Sequence, residues 1–389
     1  MKLLHQVWYK YNWNLDSYFQ DNIWDGFILN AYSIEENKIW KKISNYEFNS
    51  ISDKSFLDLQ YYWWNSSKWW KLDTYSFHPI HLSKDDTMTL SWIELIYKWI
   101  DYQIDKNFKN IIIPHTYYDI TDTKKILDII KAVNKKLKDD KKNGFKYYMT
   151  LPISNEILYN NELLEELLIT ITDISISFDG YYIACESKPW IRKKVNDSFV
   201  YYNSLNKIFK TLKQQEFSII YAYANFDAII FYSLVDIDYI SLWTYENLRN
   251  FDIKRFTEDK WGWPSKWWYF SEKLLNMIKA DNIEYLRTKN SIDFIKNENN
   301  IFSDEILSRW ILWWNTHKPE IHKNYLLSIS NIFNEMSLLD IPSRKKFIIE
   351  KIEKAKETYK VLENNWVLLL DESADYHLSN WLQFIKSIE

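Results

Sequence analysis

Phe217 to Phe270 reads FSIIYAYANFDAIIFYSLVDIDYISLWTYENLRNFDIKRFTEDKWGWPSKWWYF, and this stretch decides the fold. The apolar run Ser218 to Ala224 ends in Asn225, a helical segment Phe226 to Val235 follows, and Tyr239 to Leu242 is a second apolar run. Short, nearly continuous apolar runs rich in β-branched and aromatic residues, separated by helical spacing, make a strand, helix, strand unit.

The same rhythm extends outward in both directions. Towards the N-terminus, Gly180 to Glu186, Lys146 to Ile153, Asn110 to Thr116, Ser55 to Tyr61 and Asp25 to Tyr32 read as strands, the last of these being the first in the chain. Between them lie amphipathic segments. Leu90 to Ile104 carries Trp92, Ile93, Leu95, Ile96 and Ile100 at helical spacing, and Asp122 to Lys138 carries Ile126, Ile129, Ile130, Val133 and Leu137 on one face. Ser154 is placed to cap a helix bearing Ile157, Leu163, Leu164, Leu167 and Leu168, and Asn203 to Gln214 reads as a further helix. Towards the C-terminus, Ser271 to Ala280 reads as a helix and Ile283 to Arg287 as an eighth strand. Apolar strands alternating with amphipathic helices imply a parallel sheet covered by helices, and eight such units imply an α/β fold of the (β/α)8 TIM-barrel type. The barrel is expected over residues 1–300. Residues 301–389, with a long helix over Ser343 to Asn364 and helical character over Asp371 to Ile388, form a helical C-terminal region.

The glycine count is anomalous. A chain of 389 residues is expected to hold roughly 27 glycines, yet this one has 4 Gly and 21 Trp. Tryptophan also stands where turns call for glycine: Trp24 before a strand, Trp40 in a Lys-rich turn, Trp63, Trp64, Trp69 and Trp70 around Asn-Ser-Ser-Lys, and Trp366 after Asn364-Asn365. The pattern implies that many of these codons are UGA read as glycine, as some bacterial lineages do, in an AT-rich genome that favours Lys, Asn, Ile and Tyr. The alternative is a Trp-rich protein with aromatic platforms for carbohydrate. Trp92 and one or both of Trp313 and Trp314 read as true tryptophan, because they sit among the apolar residues of helices.

Net charge is −4 with a pI near 6.1, which gives no global basic footprint for nucleic acid and leaves only a local patch open. A single cysteine, Cys185, excludes an intramolecular disulfide and a Cys-rich zinc site, and the seven histidines show no His-x-x-x-His pair, so neither metal nor cofactor is expected. No run of 18 uncharged apolar residues occurs and the opening segment lacks an apolar core, so a cytoplasmic protein without a membrane partner is expected. Nothing in the sequence sets an oligomeric state.

In a barrel the chemistry sits at the C-terminal ends of the strands. That rule selects the acids Asp58, Glu186 and Glu246 and the histidine His115 as candidate catalytic residues, since carboxylates in unlike environments can divide acid, base and nucleophile roles. It selects Asn30, Gln60, Asn225, Asn247 and Arg249 as candidate substrate contacts, with Thr150 and Thr244 at the same level. The loop after Leu242, with glycine restored at the tryptophans, reads E-D-K-G-G-G-P-S-K-G-G-Y-F from Glu258. Its Lys260, Ser265 and Lys266 make a candidate anion nest or a mobile cover. For each acid taken alone, a salt bridge or a helix cap is the competing role.

The segments DGYYIACES and YAYANFDAIIFYSLVDIDYISLWTYENLRNF resemble a group of uncharacterised bacterial barrel proteins and, more loosely, the tRNA-guanine transglycosylase barrel. The resemblance implies a base-pocket role for Glu186 and an acid/base role for Asp58. Ser241 stands where that family has its nucleophilic aspartate, and the zinc-binding cysteines are absent. The resulting expectation is carboxylate chemistry on a nucleobase, nucleoside or other glycosidic substrate, with a phosphorylated small molecule or a non-catalytic binding module as alternatives.

Overall fold

A computed structural model describes residues 1–7, 12–31, 35–37, 51–62, 70–75, 90–117, 120–189, 193–245, 248–257, 267–309 and 318–388. Eight parallel strands, β1 (Lys2–Val7), β2 (Gly26–Asn30), β3 (Ser55–Asp58), β4 (Asn110–Ile113), β5 (Lys146–Ile153), β6 (Gly180–Cys185), β7 (Ser218–Ala224) and β8 (Tyr239–Trp243), form one sheet in the order β3-β2-β1-β8-β7-β6-β5-β4. Its two ends, β3 and β4, lie side by side, so the sheet curls into a nearly closed barrel of the TIM type. The seam is bridged below the strands by Asn110 Nδ2 donating to the Asp53 carbonyl (2.8 Å) and above them by Tyr117 N donating to the Tyr62 carbonyl (2.8 Å).

Helices α1 (Asn12–Phe19), α2 (Leu90–Asp105), α3 (Thr123–Asp140), α4 (Asn155–Leu158), α5 (Asn161–Ile171), α6 (Phe199–Gln214) and α7 (Ala228–Tyr232) separate the strands. The expected stripe of α3, Ile126, Ile129, Ile130, Val133 and Leu137, is buried on the sheet. Each such side chain contributes about 1.5–3 kcal/mol through removal from water. Ser154 Oγ accepts from Glu156 N (3.2 Å) and caps the short α4, whereas the expected Leu163, Leu164, Leu167 and Leu168 lie on a separate α5, capped by Asn160 Oδ1 accepting from Leu163 N (3.2 Å). Two true glycines mark close approaches at the lower end of the barrel: a Cβ on Gly26 or Gly180 would stand 2.0 Å from the carbonyl oxygen of Lys54 or Ser218.

Two strand assignments are corrected. The first strand is Lys2–Val7, not the run beginning at Asp25. Its Lys2, His5 and Gln6 break the apolar signature, yet it pairs with both β2 and β8 at the centre of the sheet. The expected eighth strand, Ile283 to Arg287, lies inside helix α9 (Ala280–Thr288), and the expected helix Ser271 to Ala280 is instead an antiparallel hairpin, β9 (Trp268–Ser271) and β10 (Asn276–Lys279). Leu275 at the hairpin turn has a φ of 47°, which no helix accommodates. A short α8 (Lys254–Thr257) precedes the hairpin. After α9 come α10 (Ile301–Ser308), α11 (Pro319–Ser337), α12 (Ile341–Asn364) and α13 (Leu378–Ser387), with α13 packed on both α12 and α6. Among the described residues, no helix is long and apolar enough to cross a membrane.

Candidate active site

Strand residues alternate between the helix layer and the barrel interior. The interior set begins with an apolar layer of Leu4, Ile28, Phe56, Ile112, Tyr148 and Ile220. Towards the C-terminal ends of the strands the layer becomes polar, with Gln6, Asn30, Asp58, Thr150 and Tyr182, all buried. Register places Asn30 opposite Asp58 and Thr150 opposite Tyr182, so residues far apart in sequence meet at one level.

Asp58 is the centre of this layer. Its Oδ2 accepts hydrogen bonds from three phenols, Tyr182 (2.8 Å), Tyr62 (3.1 Å) and Tyr223 (3.1 Å), and its Oδ1 accepts from Gln60 N (2.9 Å). Two amides support the phenols: Gln6 Nε2 donates to Tyr182 Oη (3.1 Å) and Gln60 Nε2 to Tyr223 Oη (2.6 Å). Gln6 Oε1 in turn accepts from Ser241 Oγ (2.6 Å) and Tyr223 N (3.3 Å). Burial pushes the Asp58 carboxyl up to about 6, although its four hydrogen-bond donors pull it down. The same burial, reinforced by the Asp58 charge, holds the three phenols well above their ordinary range, so they remain proton donors at neutral pH.

Two strained residues build this centre. The pairing of β7 with β8 is irregular between Tyr221 and Ala224, and Tyr223 at that bulge has a φ of 54°. The bulge turns the Tyr223 side chain into the barrel beside Ala222 instead of towards the helices. Gln60, just past β3, has a φ of 56°. Left-handed non-glycine residues each cost of order 1–3 kcal/mol and concentrate at functional sites. Here the two touch one another and both touch Asp58.

An aromatic cover lies over the centre. Phe251 and Phe256, on the segment after β8, pack edge-on against Tyr62 at ring distances of 4.9 and 5.1 Å. Phe251 also pairs with Glu186 as a parallel bridge, and Ser187 N donates to its carbonyl (3.4 Å). Glu186 marks a second polar point at this end of the barrel. Its Oε2 accepts from Lys188 Nζ (3.0 Å), Tyr117 Oη (3.2 Å) and Asn155 N (3.3 Å), whereas Oε1, on a residue only 1% exposed, has no hydrogen-bond partner. Gln60 Oε1 and the Thr150 hydroxyl are likewise buried without a partner. An unsatisfied buried polar group costs about 1–3 kcal/mol, and a ligand entering this mouth would remove that cost.

Asp58, Gln60, Glu186 and Asn30 thus come together at the C-terminal end, with Asn30 Nδ2 donating to the Val7 carbonyl (2.6 Å). The remaining candidates stand elsewhere. His115 turns towards α3: its Nδ1 lies 2.8 Å from the Thr116 carbonyl and its Nε2 3.3 Å from that of Ile126, and burial lowers it to about 4, so it is neutral at pH 7. Asn225 spans the Lys194 carbonyl (2.9 Å) and Phe226 N (2.9 Å). Arg249 donates to the carbonyls of Trp243 (3.0 Å) and Thr244 (2.8 Å) and lies 3.3 Å above the ring of Tyr325, which ties the segment after β8 to the C-terminal helices. Thr244 Oγ1 accepts from Asn14 (2.6 Å). Glu246, Asn247, Lys260, Ser265 and Lys266 lie outside the described residues.

Sequence reasoning missed the three tyrosines and Gln6. Tyr182 carries a readable signal, since it shares the interior phase of Ala184, but Tyr223 enters only through a bulge that no periodicity announces. The chain matches no family model and no curated protein.

Proposed function

We propose that the mouth of this barrel is an active site in which Asp58 serves as an acid/base carboxylate acting on a nucleobase, nucleoside or other glycosidic substrate. The observation that carries the reading is the convergence of three phenols and two left-handed residues on one buried carboxylate held near neutrality. A carboxyl close to the working pH can both take and give a proton. Phenols that stay protonated can stabilise charge on Asp58 through their hydrogen bonds. Glu186, with one oxygen held by three donors and the other buried without a partner, suits an N–H or O–H donor on the ligand.

Aryl glycosides, nucleosides and free bases offered to the full chain would test this. Asp58→Asn should lower turnover roughly 10²- to 10⁴-fold, and Glu186→Gln should raise KM more than it lowers kcat. Full activity in a folded Asp58→Asn protein removes the proposal.

We also propose, from the glycine and tryptophan counts and the turns in which tryptophan stands, that many of the tryptophan positions are glycine, and Trp366 supports it. This residue follows the C-cap of α12 with a φ of 58° and its side chain 85% exposed. Val367 N donates to the Leu362 carbonyl (2.9 Å) and Trp366 N to that of Glu363 (2.9 Å), the paired bonds of a Schellman turn whose left-handed position favours glycine. Trp24 shares a positive φ, 70°, while its indole lies tilted against His5 at 4.5 Å and donates to the Leu326 carbonyl (3.1 Å). Trp92, Trp99, Trp243 and Trp381 are fully buried, as true tryptophan would be. Peptide mass spectrometry of protein from its native cells, covering Trp366 and the loops at Trp63 and Trp261, decides the matter. Tryptophan masses at all three places would end the recoding idea.

A further inference from the structure

The described part of the loop after Glu186 and Lys188, residues 193–198, is held from one side by the C-terminal end of the chain. Tyr376 Oη accepts from Lys194 N (2.7 Å) and Val195 N (3.3 Å), and Asn380 Nδ2 donates to the Asp197 carbonyl (3.0 Å). Trp381 Nε1 donates to Tyr202 Oη (2.8 Å), and that hydroxyl reaches the Asn196 carbonyl (2.7 Å). On the barrel side, Asn225 Nδ2 donates to the Lys194 carbonyl (2.9 Å).

Tyr202 Oη is the hub, and it faces one more group. Asp227, buried at the end of β7, places Oδ2 3.2 Å from the same hydroxyl, and its Oδ1 has no hydrogen-bond partner. The hydroxyl carries one proton and meets two acceptors. With Asp227 protonated, its O–H donates to a hydroxyl lone pair, Trp381 N–H occupies the other, and the Tyr202 proton stays on the nearer Asn196 carbonyl. An ionised Asp227 is the stronger acceptor and draws the Tyr202 proton to its Oδ2, away from Asn196.

Among the described residues, no cation is paired with Asp227. Tyr201 and Tyr202 face Asp227 from α6, Tyr221 from β7, Tyr325 from α11 and Tyr376 from the turn before α13, all raised by burial and uncharged at neutral pH. Beyond them, burial also keeps His377 and Cys185 uncharged. Of the described cations on that side, Arg249 lies across the Tyr325 ring with donors on two backbone carbonyls and the Met277 sulfur, and Lys193 Nζ lies 5.1 Å over the Tyr376 ring and pairs with Asp197. Burial pushes Asp227 up to about 7, against the pull of Tyr202 and nearby backbone N–H groups.

We infer that Asp227, Tyr202 and Trp381 form a proton-operated latch through which the C-terminal helix α13 clamps the loop over residues 193–198 beside the barrel mouth, closed when Asp227 is protonated and loosened when it ionises. The sign follows from the raised pKa. In the loosened state Asp227 titrates in the ordinary aspartate range, so the clamp is strongest below about pH 4, weakens as pH rises to about 7, and is constant above.

Hydrogen exchange of the Lys194 and Val195 amides in the full chain, expressed as protection factors, tests this at pH 5 and pH 8. Wild type should lose tenfold or more in protection at pH 8. Asp227→Asn, whose amide can donate at any pH, should stay protected at both, and Tyr202→Phe should be weakly protected at both. Equal wild-type protection at the two pH values, or a pH response that survives in Asp227→Asn or in Tyr202→Phe, overturns the latch. The readout does not depend on catalysis, so it stands or falls separately from the proposed activity.

Discussion

Asp58 and Asp227 are both buried aspartates at the ends of barrel strands, and each meets tyrosine. Asp58 lies inside the barrel with four donors aimed at it, and it is raised only to about 6. Asp227 lies between the barrel and the helices with one shared hydroxyl, nearby backbone N–H groups and one oxygen without a partner, and it is raised to about 7. Burial drives both upward, and hydrogen-bond donors oppose it in each. One fold thus holds a carboxylate that stays ionised at neutral pH beside a carboxyl that is only half ionised there.

The largest expected effect comes from deleting the group with more hydrogen-bond donors. Asp58→Ala leaves three phenols and one amide without an acceptor and should cost about 3–5 kcal/mol in urea unfolding at pH 7. A loss below about 1 kcal/mol would mean that those donors find water or other partners, and the contrast with Asp227 would collapse.

Asp227→Asn should act in the opposite sense. Below about pH 4 both folded and unfolded chains hold the Asp227 proton. As pH rises through about 7 only the folded chain retains it, so wild-type stability falls across that window and levels off above it. The variant should be about 2–4 kcal/mol more stable than wild type at pH 8 and nearly equal to it at pH 4. A parallel pair of stability curves would show that Asp227 titrates normally.

Tyr223→Phe sharpens the count of donors. Removing one phenol from Asp58 should cost about 1–2 kcal/mol and move the carboxyl further above 6, towards the Asp227 value. The acid limb of any Asp58-dependent rate should shift to higher pH with it. An unmoved limb would show that Tyr62 and Tyr182 alone set the charge state.

Much of the barrel was legible because parallel strands covered on both faces are apolar throughout. Lys146–Ile153 and Ser218–Ala224 stand out for that reason. The first strand was hidden by its buried polar residues: His5 is held by the Ile23 carbonyl (2.9 Å) and Asn14 (3.2 Å), while Gln6 belongs to the polar interior layer. The rule that chemistry collects at strand ends selects Asp58 and Glu186, and both do lie at the C-terminal end of the barrel. It could not find Tyr223, which depends on one residue of bulge, or separate His115, which shares the rim yet points at a helix. Side-chain phase in a barrel alternates inside and outside, and an uninterrupted apolar run does not reveal which phase is which.

One pairing governs how this chain must come into being. β1, residues 2 to 7, fits between β2 and β8 and forms its ladder with residues 239 to 243. A ribosome moving at roughly 5–20 residues per second therefore makes β1 some 12 to 50 seconds before its second neighbour exists. For that interval one edge of the β1–β2 pair is an open template, and the polar Lys2, His5 and Gln6 that obscured the strand in the sequence are the residues that make a nascent edge less prone to pair with the wrong chain.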